Sequence, residues 1–165
     1  MALNDKAAYF AKKSKLNTFY FNIFDYLDNL NRGQTPFTPA TSIVEQLDYR
    51  LQKIKEEGLD NYQHRYRCVT NYLRDGMKKL GFEIFAKNPV NCVSGYKSSD
   101  YNAADLIYTL QNKYNIEIAP SGGDLRTSFF RVGVYGNIGY KEVDNFLQCL
   151  ELSMNEYKES VNNAC

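Results

Sequence analysis

Phe129-Phe130-Arg131-Val132-Gly133-Val134 reads as a β-strand with two unlike faces. At a side-chain period of two, Phe130, Val132 and Val134 fall on one side, and Phe129, Arg131 and Gly133 on the other. A strand that is apolar on one face calls for a layer that covers that face, so helices are expected on either side of it in the chain. They are present. Lys141 to about Lys158 carries Val143, Phe146, Leu147, Leu150 and Met154 at helical spacing, and Asn102 to Tyr114 carries Leu106, Ile107 and Leu110. Between and before them lie shorter β candidates at Ile116–Ala119, Asn91–Tyr96 and Phe82–Phe85, separated by turn clusters such as Ser121-Gly122-Gly123-Asp124.

Upstream of Gly81 the chain is helical. Leu59, Tyr62, Tyr66, Val69, Leu73, Met77 and Leu80 step by three and four over six turns, and Gly81 ends the run. Ile43, Leu47, Leu51 and Ile54 make a second helical stripe that Gly58 closes. Gln34-Thr35-Pro36-Phe37-Thr38-Pro39 is a stiff loop, because each proline removes a donor and extends the residue before it. A short helix from Asn22 through Leu30 is expected to end at Gly33, and a first helix from Asp5 to about Ser14 to be capped by Asn4. Lys15–Phe21 reads as an extended connection, and Val161–Cys165 as a frayed tail. The β-β-α-β-β-α order after Gly81 predicts a two-layer α+β domain with a small antiparallel or mixed sheet and helices packed on one face.

Composition narrows the function classes. Lys+Arg 20 against Asp+Glu 19 gives no reason to expect a nucleic-acid groove or an anionic membrane surface. No apolar run approaches the ~20 residues of a spanning helix. The start, Met1-Ala2-Leu3-Asn4-Asp5-Lys6, is too polar for a secretory leader. Cys68, Cys92, Cys149 and Cys165 lack CxxC spacing, and His64 is the sole histidine, so no zinc site is expected and the thiols read as reduced and cytoplasmic.

Arg131 is the leading site candidate. A guanidinium buried beside phenylalanines is costly without an anion, and its planar fork suits a carboxylate or phosphonate; Gly133 beside it leaves room. The bland alternative is an arginine paired with an internal acid, or one facing solvent. Gln34 and Thr35 form the second candidate, an amide and a hydroxyl next to Gly33 that suit a phosphate, with a plain interhelical loop as the alternative. Neither GxxxxGK[ST] nor GxGxxG occurs. His64 reads as a surface helix residue, and nothing around Cys92 marks a reactive thiol. Gly122-Gly123 and Gly136-Asn137-Ile138-Gly139 read as turn punctuation.

Three segments in register carry a family resemblance. Gly33-Gln34-Thr35-Pro36-Phe37-Thr38-Pro39-Ala40 resembles the signature loop of class V, fold-type I aminotransferases of the alanine–glyoxylate and serine–pyruvate type. Glu56-Glu57-Gly58-Leu59 and the helix ending Leu73-Arg74-Asp75-Gly76-Met77-Lys78-Lys79-Leu80-Gly81-Phe82 follow as they do there. Phe130-Arg131-Val132-Gly133-Val134-Tyr135-Gly136 resembles that family's RxGxxG strand and turn. The likeness runs from about Ala2 to Tyr157. It implies the C-terminal small domain of a pyridoxal-phosphate enzyme, with residues 1–32 as connecting helices, 33–160 as the small domain and 161–165 as a tail.

By that resemblance Arg131 grips the substrate carboxylate, while Thr35, with Gln34 beside it, meets the cofactor phosphate of the partner subunit in a homodimer. The Schiff-base lysine and the Asp on the pyridine nitrogen belong upstream of Met1, in the enzyme's own large domain. This segment is therefore expected to hold no catalytic lysine, bind no pyridoxal phosphate alone and be inactive alone. The implied reaction moves an amino group from alanine, serine or 2-aminoethylphosphonate to glyoxylate or pyruvate. Arg32 stands where relatives using alanine and glyoxylate often have an aromatic residue. Two other readings remain at this stage: a desulfurase with a reactive Cys92, and a stand-alone anion-binding or dimerisation module.

Overall fold

A computed structural model describes residues 3–15 and 18–163. The chain gathers into two compact units, Met1–Lys53 and Ile54–Cys165.

The first unit holds α1 (Asp5–Lys13), α2 (Ile23–Asn31) and most of α3 (Thr41–Glu57). Asn4 caps α1 by accepting from the Ala7 N–H at 2.9 Å, and Asn22 caps α2 from Phe24 at 3.1 Å. Gly33, at φ +66°, ends α2 in a Schellman turn, with Gln34 N–H bonding the Asn29 carbonyl and Gly33 N–H bonding Leu30. Of the expected extended stretch at Lys15–Phe21, Lys15 and Thr18 are irregular and Phe19–Phe21 bend into a turn instead; Leu16 and Asn17 lie outside the described residues. The bend has a packing cause: Phe19 and Tyr20 both close on Phe37, with Tyr20 stacked at 4.9 Å.

In the second unit α4 (Leu59–Lys79) leads into a four-stranded sheet: β1 (Glu83–Ile84), β2 (Val93–Lys97), β3 (Ala119–Pro120) and β4 (Phe129–Gly133). α5 (Ala103–Tyr114) lies between β2 and β3, and α6 (Tyr140–Asn162) ends the fold. The strand order is β1-β2-β4-β3, and every pairing is antiparallel. One face of the sheet presents Ser94, Tyr96, Phe130 and Val132 to the helices. The core they close includes Val69, Leu73 and Met77 of α4, Leu106 and Leu110 of α5, and Phe146 and Leu150 of α6. Phe130 is fully buried, a burial worth roughly 1.5–3 kcal/mol for a side chain of its kind.

Four boundaries differ from the sequence expectation, each for a local reason. Gly81, at φ +88°, ends α4 in a second Schellman turn that commits the Phe82 N–H to the Met77 carbonyl, so Phe82 packs inward and β1 starts at Glu83. β2 starts at Val93 because the Thr70 hydroxyl takes the Asn91 carbonyl at 2.7 Å. Asn115 turns left-handed at the end of α5, Ile116 donates back to Leu110, and Ile116 and Ile118 pack against the core. Only Ala119 and Pro120 remain to pair with β4. α6 continues through Asn162, so Val161 and Asn162 are helical rather than frayed; Ala164 and Cys165 lie outside the described residues. No helix among the described residues is long and apolar enough to cross a membrane.

Candidate functional site

Period-two alternation puts Arg131 on the face of the sheet away from the helices, as the strand pattern predicts: Phe130 and Val132 are buried, Arg131 is exposed. The expectation of a guanidinium buried beside phenylalanines is corrected here. Among the described residues of the second unit, the helices pack on the opposite face of the sheet, and Arg131 stays exposed. Its Nη2 donates to the Pro120 carbonyl at 3.1 Å, and it pairs with no carboxylate among the described residues. Four of its five N–H donors are therefore open to a ligand.

The ground around Arg131 is shaped by glycines. Gly95 of β2 is its direct partner across the ladder, and Ala119 of β3 its partner on the other side. A Cβ on Gly95 would lie 2.5 Å from Phe129 Cζ, so the Phe129 ring lies over that position. A Cβ on Gly133 would lie 2.6 Å from Tyr135 Cε2, so the Tyr135 ring covers that one. Phe85 meets Phe129 edge-on at 5.1 Å. Hydrogen bonding to the Cys92 thiol, followed by burial, raises the Tyr135 phenol above its ordinary pKa of 10.0. The entry to β2 is fixed from α4: Thr70 holds Asn91, and half-buried Arg74 donates to the Val90 carbonyl at 2.6 Å and to Ser94 Oγ at 3.0 Å. A recess of about 340 Å³ opens beside it, lined by Tyr62, Tyr66, Arg67, Asn91, Cys92 and Tyr135.

Gln34 and Thr35 belong to the first unit and Arg131 to the second. Both loop residues are exposed. The Thr35 hydroxyl donates to the Phe37 carbonyl at 2.7 Å, while the Gln34 side chain has no hydrogen-bond partner among the described residues. The two residues also line a recess of about 600 Å³ with Leu3, Phe21, Ile23, Tyr26, Leu27 and Leu30. Burial, with Tyr20 adding to it, pushes the Tyr26 phenol up from 10.0.

His64 is exposed on α4, its Nε2 3.4 Å from Cys68 Sγ. That contact escaped the sequence reading, although i,i+4 spacing on a helix signals it. Gly95 and Tyr135 escaped it as well. A glycine inside a strand marks close approach by another group, and that signal was available for Gly95. No group of three or more His, Cys, Asp or Glu able to hold a metal ion occurs among the described residues.

No protein-family model matches the chain. It is 31% identical over 147 residues to an uncharacterised aminotransferase of Methanocaldococcus jannaschii, covering 84% of this chain and 37% of that protein. It is 30% identical over 148 residues to the alanine–glyoxylate aminotransferase of Rattus norvegicus, covering 82% and 35%. The crystal structure of the ureidoglycine–glyoxylate aminotransferase of Bacillus subtilis shares the fold at a TM-score of 0.78 and 24% identity, over 94% of this chain and 42% of that one. The chain thus spans about two fifths of the length of the relatives it matches. By sequence and fold together, it belongs with the class V aminotransferases of the alanine–glyoxylate and serine–glyoxylate type, as the counterpart of their C-terminal portion.

Proposed function

We propose that this chain supplies the acid-group grip of a pyridoxal-phosphate-dependent aminotransferase. The reaction moves an amino group from alanine, serine or 2-aminoethylphosphonate to a 2-oxo acid such as glyoxylate or pyruvate. Arg131 carries the reading: an exposed arginine, steadied by one neutral carbonyl and paired with no carboxylate among the described residues, suits an external acid group. The named activities of the relatives support the same reading.

Gln34 and Thr35 fit a cofactor phosphate as donors. Gln34 offers an unengaged amide, Thr35 can turn its hydroxyl from Phe37, and the loop Gly33–Ala40 contains no acidic residue. In the assembly proposed here they meet the phosphate bound by a partner subunit of a cytoplasmic homodimer. When bound, pyridoxal phosphate supplies the electron sink for transamination. The part played by this chain is to hold and orient the substrate acid group through Arg131, so that the amino or keto carbon is presented in one direction. None of its lysines stands in the sequence context of a Schiff-base lysine. That residue is assigned to the large domain of the whole protein, and this chain alone is expected to be inactive.

The test uses the full-length protein loaded with pyridoxal phosphate and assayed with alanine or serine against glyoxylate or pyruvate. Arg131→Ala is expected to lower kcat/KM by roughly a hundredfold or more, as loss of a charged grip does, with cofactor absorbance unchanged. An Arg131→Ala enzyme working at the wild-type kcat/KM would falsify the assignment.

A further inference from the structure

Gly95 and Phe129 shape the ground on one side of Arg131. Gly95, directly opposite Arg131, has no side chain to share the space between β2 and β4. Phe129, two residues before Arg131 on the same face, fills it, its Cζ and Cε2 only 2.5 and 2.8 Å from where a Gly95 Cβ would be. Phe85 holds the ring edge-on at 5.1 Å. On the other side, β3 sets only the methyl of Ala119 against Arg131. The β2 side is therefore closed by an aromatic ring and the β3 side is open. The guanidinium lies toward β3, where the Pro120 carbonyl accepts from Nη2.

We propose that Gly95 and Phe129 are a positioning pair for Arg131: the ring, seated on the glycine, closes the β2 side and holds the guanidinium against the Pro120 carbonyl, with its outer N–H edge offered to one carboxylate. This rests on the acid-gripping role proposed for Arg131. A long side chain with several rotamers grips bidentately only when its plane is fixed beforehand. The ring and the carbonyl fix it from opposite sides. Neither Gly95 nor Phe129 needs to touch the ligand. Any β-carbon at position 95 drives the ring off its seat, and a shorter residue at 129 leaves the β2 side open.

The experiment uses the full-length, cofactor-loaded protein with Gly95→Ala, Phe129→Leu and, as reference, Arg131→Ala. Two readouts are taken: the split between KM and kcat in transamination, and the Kd of pyruvate by calorimetry, which does not depend on turnover. For Gly95→Ala and Phe129→Leu, KM and Kd are expected to rise about tenfold, the loss of one of two charge-assisted hydrogen bonds, while kcat changes less than about threefold. Should Gly95→Ala fail to fold, Phe129→Leu decides alone. Unchanged Kd in the folded variants, alongside lost binding in Arg131→Ala, overturns the positioning pair and leaves the Arg131 reading standing. A fall in kcat and thermal stability at constant Kd also overturns it, because that outcome marks a merely structural role. Unchanged Kd in Arg131→Ala itself overturns both.

Discussion

Gly76→Ala sets two effects of opposite sign against each other. Inside a helix, alanine is more favourable than glycine by about 1 kcal/mol. At this position of α4, however, a Cβ would lie 2.3 Å from Leu147 Cδ1 and 3.0 Å from Cδ2 of α6, well inside the ~3.5–4.0 Å of ordinary carbon contact. Either Leu147 leaves its rotamer or the helices part, and overpacking of this kind costs about 1–3 kcal/mol. The net effect expected is destabilisation of roughly 0–2 kcal/mol. In a Leu147→Ala background the new methyl meets no obstacle, and the same substitution should stabilise by about 1 kcal/mol. The cycle therefore predicts a coupling of roughly 1–3 kcal/mol between positions 76 and 147. Urea unfolding followed by circular dichroism measures it, a suitable probe because the chain contains no tryptophan. Equal stabilisation in both backgrounds, with coupling below about 0.5 kcal/mol, would refute the idea that the glycine sets the approach of α4 to α6.

Thr70→Val keeps the shape of a buried side chain while stranding the Asn91 carbonyl; a loss of about 1–3 kcal/mol is expected in the same unfolding assay, and a neutral result would show that water or another donor replaces the hydroxyl. Glu142 and Glu156 lie below the ordinary carboxyl pKa of 4.5, Glu142 chiefly through the Gly139 N–H and Glu156 chiefly through Lys113. Their contribution is thus complete above about pH 4.5 and is lost as pH falls through the lower folded values. Glu156→Gln should lose less melting temperature than wild type between about pH 6 and about pH 3, and an identical loss would remove Glu156 from the account.

The helical half of the fold was legible because its signals are local. Asn4, Asn22 and Asn102 cap helices from inside the same few residues, and Gly33 and Gly81 end them in left-handed turns. The short strands were less legible, since their ends depend on distant groups. The Phe82 N–H bonds α4 and the Asn91 carbonyl is held by Thr70, facts that no window of β-propensity contains. The face on which Arg131 stands followed from strand period, but its exposure did not. Exposure depends on what is packed over the sheet, and the helices of the second unit close on the face that carries Phe130 and Val132. The relation between Gly95 and Phe129 crosses from one strand to another, 34 residues along the chain, and became visible only with the register.

The two outer strands of the sheet have a consequence for colloidal behaviour. β1 offers two residues, Glu83 and Ile84, and β3 offers Ala119 and Pro120. An incoming β-segment would find at one rim a charged glutamate, and at the other a proline with no amide hydrogen to give. Neither rim presents a run long enough to template a foreign strand. A chain that exposes many aromatic rings, among them Phe19, Phe21 and Phe85, thereby keeps its sheet from acting as a seed for ordered aggregation. What self-association it shows should be side-chain driven, and so reversible on dilution rather than fibrillar.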